Sequence, residues 1–294
     1  MSKQQLDELN ALIRARPHFT AGIADRRAGW EKLAGRFPAA PDVTFDVIDC
    51  NGVPGLKVTP PNAQSPRSIL YIHGGGFVLG SSHTYREFTG RLGRAACATS
   101  IVPDYRLAPE HPFPAGLEDT VKVYEWMLDQ GYDPEHLAIA GDSAGASLSL
   151  AMFHVLKSKG KPLPACFVGI CGWYDLTNSS ESIYTNGTRD IFVPPNFTDA
   201  AAKIYLQDAD PRDVLASPLL GDVSGFPPSL IQIGGMERLI DDSTRLHEKM
   251  EKAGVKSVLE VWPDMPHIWH FFGPMLDEGI AATERAAEFI IENT

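Results

Sequence analysis

The chain has 294 residues and a formal net charge of −11 at pH 7. This acidic balance disfavours nucleic acid and anionic membrane surfaces as partners, because both attract basic side chains. The sequence has no apolar run of about 18 residues, and its first residues lack the apolar core of an export signal, so we expect a cytoplasmic protein that does not enter membranes.

Short apolar runs rich in β-branched residues alternate along the chain with longer amphipathic stretches, which is typical of a mostly parallel sheet covered by helices. Strands are predicted near residues 43–50, 56–59, 68–72, 99–105, 136–140, 165–171, 230–233 and 258–262. Helices are predicted near residues 84–98, 116–129, 143–158, 242–253 and 274–293. The length suits one α/β core with an attached cap.

Two segments interrupt this alternation. Residues 1–40 include leucines and an isoleucine at helical spacing, and residues 177–213 contain large apolar side chains outside any predicted strand. We therefore expect both segments to lie outside the sheet and to pack against it.

A run of glycines, His73-Gly74-Gly75-Gly76, directly follows the predicted strand 68–72. Consecutive glycines leave backbone N–H groups uncovered, so Gly75 and Gly76 are candidate donors to a developing negative charge. The alternatives are an ordinary glycine-rich turn and a phosphate cradle. A phosphate cradle is disfavoured because the sequence contains neither a G-x-x-x-x-G-K-[ST] pattern nor a G-x-G-x-x-G pattern followed by an acidic residue about twenty positions later.

The sequence Gly141-Asp142-Ser143-Ala144-Gly145 joins a predicted strand to a predicted helix, which sets Ser143 on a tight turn. Such a pattern also occurs where serine caps an ordinary helix. Together with the glycine run, it predicts an exposed serine nucleophile and a third oxyanion donor in the N–H of Ala144. Asp142 is expected to fix the neighbouring loops or to favour the helix N-terminus.

A general base should come from a loop at the carboxyl edge of the sheet, after the nucleophile in chain order. His267 follows the predicted strand 258–262 and meets both requirements, and His270 is its competitor. The two histidines are three residues apart but have no cysteine or acidic ligand pattern beside them, so a metal site is not expected. The four cysteines lack C-x-x-C spacing and are expected to be reduced: Cys50, Cys97, Cys166 and Cys171.

The acid that orients the base should end the preceding strand, and Glu237 follows the predicted strand 230–233. It precedes His267 by 30 residues, which leaves room for one helix and one strand returning to the same edge. Asp241 and Asp242 are expected instead to begin that helix, where the helix dipole favours negative charge.

Four motifs occur in the order found in the hormone-sensitive-lipase-like family of α/β-hydrolases, which the chain resembles and which includes many bacterial carboxylesterases. They are His73-Gly-Gly-Gly76, the segment from Asp104-Tyr105 to Pro114-Ala115, Gly141-Asp-Ser-Ala-Gly145 and Asp264-Met-Pro-His267. The chain departs from the family at the acid. Many members have Asp-Pro-Leu there, whereas this chain has Glu237-Arg238-Leu239.

The resemblance implies an α/β-hydrolase fold with an eight-stranded, mostly parallel sheet and a helical cap. The cap would comprise residues 1–40 and 177–213, and the core residues 41–176 and 214–294. The resemblance also implies supporting roles around the glycine loop and the nucleophile for His73, Gly74, Tyr105 and Asp142. Phe77, Trp30, Tyr205 and Trp269 are candidate pocket walls.

The implied activity is a serine carboxylesterase that acts on small esters of short-to-medium acyl chains through an acyl-enzyme, without a cofactor or metal. A lactone hydrolase with the same triad is the alternative, and a homodimer is compatible with the sequence. A ligand-binding protein without activity is disfavoured because the serine, the histidine, an acid and both oxyanion elements are present. A nucleotide-dependent oxidoreductase would need a fingerprint that the sequence lacks.

Overall fold

A computed structural model describes residues 3–15, 22–63, 66–194 and 196–294 of the chain. Its centre is an eight-stranded sheet. The strands are β1 (Thr44–Asp49), β2 (Pro54–Thr59), β3 (Ser68–Ile72), β4 (Thr99–Pro103), β5 (Leu137–Asp142), β6 (Cys166–Ile170), β7 (Ser229–Gly234) and β8 (Ser257–Trp262). Their spatial order is β1-β2-β4-β3-β5-β6-β7-β8. Strand β2 runs antiparallel to both of its neighbours, β1 and β4. The strands from β4 to β8 in this order run parallel to one another.

Helices surround the sheet and also form the two segments outside it. They are α1 (Lys3–Arg14), α2 (Ile23–Ala34), α3 (Arg86–Ala96), α4 (Ala115–Asp129), α5 (Ala144–Ser158), α6 (Ser182–Thr185), α7 (Phe197–Leu206), α8 (Ile240–Lys252) and α9 (Asp277–Asn293). No helix in the described ranges combines the length and the apolar character that a membrane span requires.

The predicted α/β architecture is confirmed, and the ends of the predicted strands and helices are displaced by at most three residues. The largest displacement is at α9, which begins three residues later than predicted. A 3₁₀ turn that contains Pro274 occupies Trp269–Met275 and delays the helix, because proline has no N–H for a continuous α-helical ladder.

The core lies in the middle of the sheet, where every residue of β3, β5, β6 and β7 is buried. Helix α3 packs on α9, and α4 packs on α5. Strands covered by helices on both faces become continuous apolar runs, which explains why these four segments are readable in the sequence.

Parallel pairing brings the ends of β3, β5, β7 and β8 to one edge of the sheet. Ile72 pairs with Gly141 at the ends of β3 and β5, and Gly234 pairs with Trp262 at the ends of β7 and β8. The residues that follow these strands therefore emerge at the same edge, where ligands bind in open α/β sheets.

The two segments outside the sheet meet over this edge. Trp30 of α2 stacks on Phe271 with ring centroids 5.1 Å apart, and it contacts Phe192 at 6.3 Å. Residues 1–2 and 16–21 of the first predicted cap segment and residue 195 of the second lie outside the described residues. The division of the chain into core and cap segments stays a prediction.

Candidate active site

The turn between β5 and α5 carries Ser143 in a strained backbone conformation. Its φ is 51° and its ψ is −120°, a combination that L-residues rarely adopt. The N–H of Ser143 donates to the carbonyl of Ile170 at 2.8 Å, which holds the turn on the neighbouring strand. A side chain at Gly145 would collide with the carbonyl oxygens of Ile72 and His73. The turn therefore requires glycine at position 145.

Three side chains that follow different strands form one hydrogen-bonded chain. His267 Nε2 lies 3.0 Å from Ser143 Oγ, and His267 Nδ1 lies 2.5 Å from Glu237 Oε2. The other oxygen of Glu237 accepts the N–H of Gly234 at 2.7 Å. All three side chains are buried, and Ser143 retains 8% exposure. This is the geometry in which an oriented base can take a proton from a serine hydroxyl.

The carboxylates around His267 set its proton affinity. Burial alone would lower the pKa of His267, but the hydrogen bond and charge of Glu237, with two further carboxylates, outweigh burial and raise the pKa above its ordinary 6.5. A histidine with this environment is neutral above its raised pKa and is then able to accept a proton.

The competitor His270 lies away from the serine. It is buried, and its Nε2 lies 2.9 Å from Oε1 of Gln232. Burial lowers its pKa well below the ordinary value, and the nearby Arg91 lowers it further. His270 is therefore a neutral core residue, and the structure places His267 beside Ser143 instead.

Asp241 and Asp242 lie in the first turn of α8, as predicted. Each also binds the chain that follows β6. Asp241 accepts the N–H of Ser182 at 2.8 Å, and Asp242 accepts the N–H groups of Tyr174 and Asp175 at 2.9 and 3.0 Å. Burial raises the pKa of Asp242 to about 7. Neither carboxylate is hydrogen-bonded to His267 within the described part of the chain.

The glycine loop lies opposite the serine, with Gly75 and Gly76 in the wall of the same cavity. The N–H groups of Gly75, Gly76 and Ala144 donate to no other residue in the described part of the chain. Gly75 has a φ of +120°, and a side chain there would collide with the carbonyl of Leu79. Three free N–H groups next to a serine hydroxyl fit the predicted oxyanion hole.

Asp142 fixes the glycine loop, one of the two roles expected for it. Its carboxylate accepts the N–H of Gly74 at 2.9 Å and the hydroxyl groups of Tyr71 and Tyr85 at 2.7 and 2.8 Å. Burial raises the pKa of Asp142, while these donors oppose the rise. The nucleophile turn and the glycine loop are thus joined through one buried carboxyl group.

His73 and Tyr105 support the loop from behind. The Tyr105 hydroxyl donates to the carbonyl of His73 at 2.8 Å, and the two rings stack with centroids 4.3 Å apart. His73 Nδ1 lies 2.8 Å from the carbonyl of Gly74, and burial lowers the pKa of His73. A neutral, stacked histidine here is a support for the loop and not a second base.

Cys171 lies at the site without a sequence motif that predicts it. Its Sγ accepts the N–H of Ile268 at 3.3 Å and lies within 4.8 Å of a carboxylate oxygen of Glu237. Burial raises the pKa of this thiol well above its ordinary value, and Glu237 raises it further. The signal that could have identified Cys171 is its position directly after β6, at the same edge of the sheet.

Cys171, Glu237 and His267 offer metal-ligand atoms within 4.8 Å of one another. The histidine and the carboxylate are already hydrogen-bonded to each other, and the raised pKa keeps the thiol protonated at neutral pH. Metal ligands must be deprotonated and free to coordinate. The cluster is therefore better suited to hydrogen bonding than to holding a metal ion.

A partly open cavity of about 50 Å³ lies at Ser143. Its wall is mainly apolar and comes from both segments outside the sheet as well as from the core. The large apolar lining residues are Trp30, Leu79, Phe192, Val193, Phe197 and Ile268. Such a cavity suits an apolar group attached to a polar reacting centre.

Of the four candidate wall residues, Trp30 lines this cavity, whereas Phe77, Tyr205 and Trp269 do not. The rings of Phe77 and Tyr205 stack on each other with centroids 3.8 Å apart. Trp269 packs against Trp262. These three side chains pack between other elements, and Phe192, Val193 and Phe197 line the cavity instead.

Comparisons with known proteins agree with this fold. A family model described as alpha/beta hydrolase fold matches residues 69–271. An acetyl-hydrolase of Streptomyces hygroscopicus is 38% identical over 99% of this chain and 97% of its own length. An esterase of Acinetobacter venetianus is 35% identical over 96% of this chain and 93% of its own.

Solved structures give the same result. An esterase of the bacterial hormone-sensitive lipase family superposes with a TM-score of 0.97 at 41% identity, covering 100% of this chain and 99% of that one. EstE5, in a crystal soaked with p-nitrophenyl butyrate, superposes with a TM-score of 0.94 at 42% identity, covering 98% of each chain.

The fold, the matched model and the site together define the class, that of the α/β-hydrolases. Within this class the chain belongs to the hormone-sensitive-lipase-like family, and it is a carboxylic ester hydrolase. The resemblance expected from the four motifs is confirmed.

Proposed function

We propose that the chain is a serine carboxylesterase that hydrolyses small esters of short-to-medium acyl chains through an acyl-enzyme. Ser143 is the nucleophile, His267 the general acid and base, and Glu237 the orienting acid. The observation that carries this proposal is the hydrogen-bonded chain from Ser143 Oγ through His267 to Glu237 at the floor of an apolar cavity.

In the first stage, Ser143 Oγ attacks the ester carbonyl carbon while His267 Nε2 takes the hydroxyl proton. The carbonyl oxygen becomes an oxyanion and accepts hydrogen bonds from the three free N–H groups of the glycine loop and the helix start. His267 then gives its proton to the leaving alkoxide, the carbon–oxygen bond to the alcohol breaks, and an acyl-serine remains.

In the second stage, water attacks the acyl-serine, and His267 takes a proton from that water. The oxyanion forms again in the same position, and the bond to Ser143 Oγ breaks as the histidine returns the proton to it. The carboxylic acid leaves, and the enzyme regains its starting state. Glu237 keeps the Nδ1 proton directed toward its carboxylate and stabilises the imidazolium that each stage forms.

The two segments outside the sheet, residues 1–40 and 177–213, form the cap over this site in our proposal. The support is that Trp30 comes from the first segment and Phe192 from the second, and both line the cavity that contains Ser143. Because the acyl and alcohol groups share one small cavity with aromatic walls, small esters are favoured.

A series of p-nitrophenyl esters from acetate to palmitate, near pH 8 and without added metal, tests the proposed function. Each methylene that fits an apolar wall adds binding energy, and each that exceeds the cavity must displace the surrounding side chains, which costs binding energy. We expect kcat/KM to peak between acetate and hexanoate and to be lower for palmitate by about tenfold or more. A peak at palmitate would contradict the proposed preference. Hydrolysis of lactones without hydrolysis of any ester would favour a lactone hydrolase with the same residues.

A further inference from the structure

Arg238, the residue after Glu237, is buried, with 4% exposure. Its guanidinium group donates to three backbone carbonyls of a single segment. Nε donates to Val193 at 3.0 Å, Nη1 to Ile183 at 2.5 Å and Nη2 to Gly187 at 2.7 Å. One side chain from the catalytic core therefore holds the segment 183–193 at three points.

The backbone of Arg238 adds two further contacts, one within this segment and one to Ser182, the residue directly before it. Its N–H donates to Asp190 Oδ2 at 3.0 Å, and its carbonyl accepts the Ser182 hydroxyl at 2.5 Å. Asp190 Oδ1 in turn accepts the N–H groups of Phe192 and Val193, each at 2.9 Å. Arg238 and Asp190 thus fix the backbone of two residues that line the cavity.

The same segment touches both members of the proposed base and acid pair. The Phe192 ring lies 5.4 Å from the His267 ring, and Asn186 Nδ2 donates to the carbonyl of Glu237 at 2.8 Å. The segment 183–193 is therefore bound by two adjacent residues: by Glu237, the proposed acid, and by Arg238.

Hydrogen bonds to a charged donor are stronger than those between neutral groups. Burial lowers the pKa of Arg238, and the charge of the nearby Asp190 opposes this. An arginine guanidinium nevertheless remains charged at any ordinary pH. Removing the guanidinium would leave the carbonyls of Ile183, Gly187 and Val193 without this donor, and an unpaired buried carbonyl is costly. The wall would then loosen locally.

We propose that Arg238 is a positioning residue that sets the shape of the substrate pocket by holding residues 183–193 against His267. The inference rests on the proposed ester hydrolysis, since pocket shape is measured through substrate binding. The carboxylate of Glu237 is held from outside this segment by the N–H of Gly234 and by His267, so loosening the wall should weaken substrate binding more than the chemical step.

The test compares wild type, Arg238→Met and Arg238→Lys with p-nitrophenyl butyrate. Methionine keeps an unbranched side chain but has no donor. We expect KM to rise about tenfold in Arg238→Met while kcat changes by less than about threefold, because an interaction that stabilises the ground state and the transition state equally affects KM alone. Arg238→Lys should be intermediate, since a compact ammonium cannot span three carbonyls. A lower active fraction alone would reduce kcat and leave KM unchanged.

Arg245→Met is the matched control. Arg245 lies on α8 and binds Asp175 at 2.9 Å and Ser180 at 2.8 Å, but it makes no hydrogen bond to residues 183–193 in the described structure. Its replacement removes a nearby arginine that is partly exposed and donates to side chains outside the held segment. We expect the KM of Arg245→Met to remain within about twofold of wild type.

Limited proteolysis gives a readout that needs no esterase activity. Arg189 is exposed within the held segment, and trypsin can cleave after it when that segment opens. We expect cleavage after Arg189, identified by fragment mass, to be about tenfold faster in Arg238→Met than in wild type. The rate of cleavage after Arg189 should be the same in Arg245→Met as in wild type.

The two readouts separate failure of this inference from failure of the proposed function. If cleavage after Arg189 is faster in Arg238→Met but the wild type hydrolyses no ester, the proposed ester hydrolysis is refuted. The role of Arg238 in holding residues 183–193 is then still supported. Unchanged KM and unchanged cleavage would overturn the positioning role. If Arg238→Met does not fold, Arg238→Lys decides: a raised KM with faster cleavage supports the role, and wild-type values for both overturn it.

Discussion

The Ser143→Ala variant is expected to lose nearly all hydrolysis of p-nitrophenyl acetate, with kcat reduced about 10⁵–10⁶-fold. The methyl group cannot form the acyl-enzyme, and the remaining rate would come from the oxyanion donors and substrate binding alone. Because the Ser143 hydroxyl is hydrogen-bonded only to His267 in the described structure, the fold should be retained. Initial rates at saturating substrate measure this change.

A serine on the same helix provides the control. Ser158 lies at the exposed end of α5, where its hydroxyl donates to the carbonyl of Val155 at 2.8 Å. Ser158→Ala should keep wild-type activity, and thermal unfolding should show that both variants are folded. A Ser143→Ala variant that retains more than about a tenth of wild-type kcat would exclude Ser143 as the nucleophile.

The Glu237→Gln variant is expected to reduce kcat about 10⁴-fold with little change in KM. Glutamine has nearly the same shape but no charge. It can present an N–H to His267 Nδ1, which favours the tautomer that cannot accept a proton from Ser143, and it does not stabilise the imidazolium. Steady-state kinetics with p-nitrophenyl butyrate measure both parameters.

The pH profile of this variant provides a second readout. Glu237 helps to raise the pKa of His267 above 6.5, so its loss lowers that pKa. The base must be neutral, and kcat/KM therefore falls as pH decreases through the pKa. We expect the acidic limb of the wild-type profile to lie above pH 6.5 and that of Glu237→Gln to move to lower pH.

Asp241→Asn is the matched carboxylate control for Glu237→Gln. Asp241 lies four residues further along the chain and accepts the N–H of Ser182. Its replacement should change kcat by less than about threefold. A large loss of kcat in Asp241→Asn with an active Glu237→Gln would show that the acid has been assigned to the wrong residue.

The proposed triad could be assembled from the sequence because its members follow strands whose order and direction are readable. Gly141 and Gly145 mark a turn that tolerates no side chain, and Ser143 lies between them. Glu237 and His267 are separated by one helix and one strand of a parallel sheet, which fixes both at the same edge. The local sequence and the parallel pairing of the strands were sufficient to predict these three residues.

The pocket wall could not be predicted in this way, because it depends on which aromatic side chains pair with one another. Phe77 directly follows the glycine loop and Tyr205 lies in the second predicted cap segment, but their rings stack on each other. Phe192 instead enters the cavity because Asp190 and Arg238 hold its backbone. Hydrogen bonds between a guanidinium and backbone carbonyls leave no periodic pattern in a sequence. The sequence feature that could have indicated this arrangement is Arg238 itself, at a position where many family members have proline.

The acyl-enzyme can be observed directly by mass spectrometry after the wild-type chain is mixed with p-nitrophenyl butyrate and quenched in acid during turnover. We predict a butyryl group on the peptide that contains Ser143, absent from the Ser143→Ala variant, and lost on further incubation as butyrate appears. Hydrolysis of the ester with a butyryl group on another residue, or with no acylated peptide at any time during turnover, would contradict the proposed mechanism.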